Sequence, residues 1–213
     1  MTDRLPTTPS GPGRPKDPAK RSAILQAAKC LFLAHGYEGS SMDAIAAEAG
    51  VSKLTVYSHF NDKETLFAAA VASKCQEELP PLFFEQDPKV PLDQVLTEVG
   101  RRFHLLINSP ESVAMHRLMV AQGTHNPELS RLFFEAGPQR ILDATTQLLA
   151  RADRNGQLRV AQPQRAAEHF LSMIKGACHL RLLIGCCEAP KGEDAEEHVA
   201  DVVQLFLRAY RPD

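Results

Sequence analysis

Seven consecutive residues, Lys53-Leu-Thr-Val-Tyr-Ser-His59, carry side chains suited to reading another molecule. Wound into a helix, Val56 and the following Phe60 fall on one side. Lys53, Leu54, Thr55, Tyr57, Ser58 and His59 fall on the other. A solvated helix face normally carries long, oppositely charged pairs. This one instead offers short donors, a phenol and a single methyl-rich tip. Such a set suits the major groove, where each base pair presents its own pattern of donors, acceptors and the thymine methyl. The first residues of such a helix are the ones that reach base edges. Other chemistry is absent. The chain holds no Gly-rich phosphate loop, no GxSxG elbow and no HExxH spacing. His104, His116, His125, His169 and His179 are scattered over separate segments. Neither catalysis, a metal nor a cofactor is expected.

The elements that must position this helix can be read on either side of it. Met42, Ile45, Ala46 and Ala49 recur at helical spacing. Gly50 supplies a turn with positive φ, Val51 plugs the corner, and Ser52 caps the next helix by accepting from its orphan amides. The two helices form a helix-turn-helix. Ahead of them a helix spans about Pro18 to His35. Pro18 stands in its first turn and Gly36 just past its end. Its buried stripe is Ile24, Ala28, Leu31 and Phe32. Ser40 or Ser41 caps the second helix, and a Ser at that position can also hold a phosphate. Asn61 or Asp62 caps a fourth helix running from Lys63 to about Leu79, where Pro80-Pro81 stops it.

The stretch Gly50-Val-Ser-Lys-Leu-Thr-Val-Tyr-Ser-His-Phe-Asn-Asp-Lys-Glu-Thr-Leu-Phe67 resembles the signature of TetR-family transcriptional regulators. The family pattern reads Gly-Val-Ser-x-x-x-x-Tyr-x-x-Phe, then x-x-Lys-Glu-x-Leu, and every fixed position is matched. The resemblance reaches back through Ile24 and covers roughly the first third of the chain. One departure is Leu54, where many members carry Gly. The resemblance implies Lys53, Leu54 and Thr55 at bases. It places Tyr57, His59 and Lys63 at phosphates, with Ser41 beside them. A cation in a first helical turn opposes the helix dipole, a conflict that a phosphate would relieve. Met115-His-Arg-Leu-Met-Val120 through Arg131-Leu-Phe-Phe-Glu-Ala-Gly-Pro138 is similar to the C-terminal domain of a subgroup linked to multidrug efflux and quorum-sensing genes.

The chain has 213 residues, 44% of them apolar, and a net charge of −2. That length allows a real core, and the charge excludes a protein whose whole surface wraps nucleic acid. The charge is uneven, however. In residues 1–21, Arg4, Arg14, Lys16, Lys20 and Arg21 stand against only Asp3 and Asp17. Arg14 and Lys16, in a Pro- and Gly-rich arm, are expected to enter a minor groove or touch phosphates. No apolar run approaches the length of a membrane helix, and no export signal is read, so a cytoplasmic protein is expected. Cys30, Cys75, Cys178, Cys186 and Cys187 show no metal-ligand spacing. Cys186-Cys187 could sense oxidants, although adjacent cysteines bridge poorly.

The remaining sequence is helical throughout, so the fold class is all-α. Helices are expected over about 92–108, from Ser109-Pro-Glu111 to about 122, a short one that starts at Asn126-Pro127 and carries Leu129, Leu132, Phe133 and Phe134, from Gly137-Pro138 to about 153, and over about 163–185 and 194–210. The expected domains are a mobile basic arm at 1–17, a DNA-binding head at 18–66, and a ligand-binding and dimerisation body at 67–213. Phe103, Ile107, Met115, Met119, Phe134 and Met173 offer apolar, adaptable surface for a ligand, with His116 and Arg117 as polar groups. Phe170, Ile174, Cys178 and Arg181 on one helix, and Val199, Val202, Val203, Phe206 and Tyr210 on the next, form stripes expected to close a homodimer. The resulting expectation is a repressor of double-stranded operator DNA, released by a small apolar or amphipathic effector. An efflux operon is its expected target. Two alternatives stand beside it: an activator or global regulator of the same fold, and a thiol-based redox sensor without a ligand.

Overall fold

The computed structural model describes residues 17–80, 90–189 and 192–212. Among these the chain is helical, with no strand. Ten helices follow in order: α1 Pro18–His35, α2 Met42–Glu48, α3 Lys53–His59, α4 Lys63–Glu78, α5 Leu92–Asn108, α6 Pro110–Gln122, α7 Pro127–Ala136, α8 Pro138–Arg154, α9 Pro163–Leu183 and α10 Glu193–Ala209.

Local chemistry sets the boundaries. Asp17, Ser41, Ser52, Asp62, Ser109 and Asn126 each accept a backbone amide from the first turn of the helix they precede. Each thereby satisfies a donor that would otherwise lack a partner. Pro occupies the first turn of α1, α6, α7, α8 and α9, where its missing N–H costs nothing. Ser40 is buried instead. Its hydroxyl donates within reach of the Leu31 and Gly36 carbonyls, fastening the end of α1. Gly50 makes the α2–α3 turn at φ 64°.

Two cores result. The first joins Ile24, Ala28, Phe32, Ile45, Val56, Phe60, Leu66 and Phe67 of the first four helices to Met119 of α6 and Leu129 of α7. Phe32, Tyr37 and Phe67 contact one another through their rings. The second is built from α5, α8, α9 and α10 around Leu96, Leu148, Phe170, Ile174 and Phe206. The head therefore does not close at residue 66. It completes its core with side chains from the body, and α4 packs on α1, α5 and α7.

One helix departs from expectation. Within α9, Gly176 takes φ 56° and ψ −178°, breaking the helical path. The Ile174 carbonyl, two residues earlier, accepts from the His198 ring of α10, whose Nε2 lies 3.0 Å away. A carbonyl can only accept, so that nitrogen carries the proton.

The stripes expected to form a dimer seam are corrected here. Phe170, Ile174, Val199, Val202, Val203 and Phe206 are 0–7% exposed within the single chain and belong to its second core. Tyr210 packs on the same core, and its hydroxyl lies 2.9 Å from His169 Nδ1. These faces close on α5 and α8, so they are not available to a second copy. Cys178 is half-buried and Arg181 exposed. The apolar side chains that these helices leave outside are Leu180, Ile184 and Leu205, each more than half exposed.

Candidate nucleic-acid interface and effector cavity

α3 is fixed by its buried side. Val56 and Phe60 are fully or nearly fully enclosed, while Leu54 is 80% exposed and Tyr57 41%. An apolar side chain as open as Leu54 has no role in the chain's own packing. Lys53 is exposed, and its ammonium lies 2.9 Å from Asp43 of α2. Thr55 is half-buried, with its hydroxyl 2.8 Å from that of Ser52. Ser58 donates to the Thr55 carbonyl. His59 is half-buried, and its Nδ1 is enclosed without a partner. The helix thus presents Lys53, Leu54 and Tyr57 outward, with Thr55 and His59 at the margins.

Lys63 has internal partners. Its ammonium donates to the Tyr37 carbonyl at 2.9 Å, lies 4.2 Å from the Tyr37 ring centroid and 3.9 Å from Glu38. The conflict between cation and helix dipole is thus met inside the protein. Burial, with Glu64, Glu38 and Asp62 nearby, pushes the Tyr37 phenol up to about 12. Ser41 is exposed, and its hydroxyl accepts from Ala44 N. Arg14 and Lys16 lie outside the described residues. Sequence reading counted Arg21 in the basic segment but missed its contact with Phe60, whose ring centroid lies 5.3 Å from the guanidinium. It also missed Asp43 as the partner of Lys53. Both depend on the angle between helices, which no local spacing encodes.

A cavity of about 430 Å³ opens between α1 and α4 on one side and α5 to α9 on the other. Of the expected ligand residues, Phe103, Ile107, Met115 and His116 line it. The other four do not. Arg117 donates to the Leu182 and Leu183 carbonyls at 2.7 and 2.8 Å, capping the end of α9. Met119 is buried in the first core. Met173 packs against the second. Phe134 is 49% exposed on the outside of α7, whereas its neighbour Phe133 faces the cavity. The missed lining includes Phe32, Phe67, Lys29, Lys74, Glu77, Glu111 and Lys175. Several come from the head helix α1, whose own apolar stripe carries no sign of a ligand.

Behind His116 runs a group of buried rings. His116 and His179 meet edge to face, 5.4 Å between centroids, and His179 Nδ1 lies 3.0 Å from Asn108 Oδ1. Burial first, and then Lys175, hold His116 neutral with a pKa of about 4; His179 is lowered to about 4, again chiefly by burial. Burial and His198 also lower His104. Among the described residues no group of His, Cys, Asp or Glu is arranged to hold a metal ion. No helix there is long and apolar enough to cross a membrane. The Cys178 and Cys187 sulfurs lie 3.9 Å apart, while Cys186 is exposed.

Comparison with known proteins places both regions. Residues 24–70 match the family described as bacterial regulatory proteins, tetR family. Residues 94–212 match the C-terminal domain of AefR-like transcriptional repressors. The HTH-type transcriptional regulator SrpR of Pseudomonas putida is 28% identical over 191 residues, 89% of this chain and 83% of the relative. A crystal structure of a TetR-family regulator from Mesorhizobium loti superposes with a TM-score of 0.72 at 29% identity, covering 91% of this chain and 98% of that one. The flavonoid-responsive regulator FrrA superposes with a TM-score of 0.71 at 32% identity, covering 91% and 97%.

Proposed function

We propose, from the premise that this chain belongs to the TetR family of DNA-binding transcriptional regulators, that it is a homodimeric repressor released from its operator by a small apolar or amphipathic effector. The observation that carries the reading is the position of the cavity. Its wall is shared between α1 and α4 of the head and five helices of the body. An occupant therefore bears on the element that sets the tilt of α3. The AefR-like match supports repression, and a neighbour described as flavonoid-responsive supports an effector of that size.

In this reading Lys53, Leu54 and Thr55 contact bases, and Tyr57, His59, Ser41 and Lys63 contact phosphates, with Arg14 and Lys16 on the arm. The effector occupies the cavity at Phe103, Ile107, Met115 and His116. Head and body are proposed to divide near residue 66 along the chain, although their cores interlock. One helix-turn-helix reads a half-site, so a dimer needs two copies of that sequence about one or more DNA turns apart. Selection of bound duplexes from a random DNA pool tests this. An inverted repeat is expected; a single unrepeated site would refute the dimeric reading. An efflux operon divergent from the gene is the proposed target.

One observation favours a second reading. The Cys178 and Cys187 thiols are in van der Waals contact, their sulfurs 3.9 Å apart, a pair different from the adjacent Cys186-Cys187. Burial and the Cys178 thiol push Cys187 up, so its thiolate is scarce at neutral pH and oxidation would be slow. Diamide-sensitive DNA binding that disappears in Cys187→Ser would favour the thiol sensor.

A further inference from the structure

The charged residues of the cavity are unequal in number and in pairing. Three lysines, Lys29, Lys74 and Lys175, line it against two carboxylates, Glu77 and Glu111. Lys29 lies 2.7 Å from Glu77. Lys74 lies 3.4 Å from Glu78 and 3.6 Å from Glu111. Both carboxylates of the lining are therefore already committed to cations. Lys175 makes no ion pair among the described residues. Beside it His116 has an enclosed Nδ1 without a hydrogen-bond partner. A buried polar atom left in that state costs free energy until something satisfies it. Apart from Gln26 and Ser112 the rest of the wall is apolar, dominated by Phe32, Phe67, Phe103, Ile107, Met115 and Phe133.

We propose that the effector is an amphipathic acid, with an aromatic or aliphatic body in the apolar cavity and one anionic group held by Lys175 beside His116. The proposal rests on the cavity being the effector site. Lys175 supplies charge and His116 supplies a neutral ring that can donate one N–H, so a single anion can use both. The same arrangement selects against cationic amphiphiles. A positive group would meet three ammonium groups, and the two lining carboxylates could receive it only by giving up Lys29 or Lys74.

The anion 8-anilinonaphthalene-1-sulfonate and its uncharged parent N-phenyl-1-naphthylamine share one ring system and differ by the acid group. Fluorescence titration of the full chain with each probe tests the assignment. Lys175→Met is expected to weaken the sulfonate by about tenfold, the scale of one charge-assisted contact, and the neutral parent by less than about twofold. Lys175→Arg should keep the sulfonate affinity. Ile107→Trp, which fills the cavity, should remove both probes, and Met115→Trp is the substitute should that variant fail to fold. Equal effects of Lys175→Met on both probes, or none, would overturn the acidic class and leave the cavity standing. Undiminished binding of both probes to the filled cavity, or no binding to the wild type, would overturn the cavity reading itself.

Discussion

At the start of α4 the Lys63 ammonium is held by the Tyr37 carbonyl and the Tyr37 ring, so its removal touches folding as well as the proposed DNA contact. Lys63→Ala is expected to lower the unfolding midpoint and to weaken binding to all sequences, reducing the salt slope by about one. Lys53 differs, because its exposed pair with Asp43 is screened by solvent and contributes little to stability. Lys53→Ala should leave the midpoint nearly unchanged and relax sequence preference by about 1–3 kcal/mol. Equal weakening at every site would remove Lys53 from the base contacts. The buried histidines make a separate, pH-dependent contribution. His116 and His179 have folded pKa values of about 4, below the roughly 6.5 of an unfolded chain. Between those values the unfolded state binds more protons, so stability is complete above about pH 6.5 and falls as pH drops toward 4. Lys175 opposes protonation of both, and His116 and His104 oppose that of His179. Thermal unfolding should show a lower midpoint at pH 4.5 than at 7, and a weaker pH dependence in His116→Phe. An unchanged slope in that variant would remove His116 from the account.

At the scale of elements, helix ends were legible because capping is local. Ser41, Ser52, Asp62 and Asn126 needed only their own next three residues to announce a start. What a face packs against is not local. The stripes of α9 and α10 showed correctly that Phe170, Val203 and Phe206 are buried, but periodicity cannot tell a protomer's core from a dimer seam. Arg117 and Met119 were misplaced for the same reason: their neighbours come from α9 and from the head. On α3, by contrast, the outward face was read from its unusual composition, and Leu54 and Tyr57 are exposed. The Gly176 break was invisible, since Gly within a helical run is compatible with an unbroken helix. Its φ of 56° disfavours a side chain, and an added Cβ would stand 3.3 Å from the His198 ring. Gly176→Ala should therefore destabilise by about 1–2 kcal/mol. Chemical denaturation measures this, and a neutral result would mean that α9 can straighten at no cost.

At the scale of the whole molecule these elements bear on the proposed switch. With the stripe residues internal, Leu180, Ile184 and Leu205 are the exposed apolar positions from which a dimer face on α9 and α10 would be built. Leu180→Asp should give a folded monomer by light scattering, whereas Phe206→Asp should unfold the chain by burying a charge in its core. A dimer fixes two copies of α3 at a separation that DNA matches through its helical repeat. The cavity lies where α1 and α4 meet the body, so an occupant that favours a different tilt of α4 would alter that separation. It can do so only by the difference in its affinity for the two arrangements. A coupling of roughly 1–3 kcal/mol, the usual range, would lower operator affinity about 5- to 150-fold. The coupling is reciprocal, so operator DNA must weaken effector binding by the same factor. Calorimetric titration of effector into free protein and into the protein–operator complex measures both sides. Unequal affinities in the ratio of the two operator constants are expected. Equal affinities would show that the bound compound is not the molecule that releases the DNA.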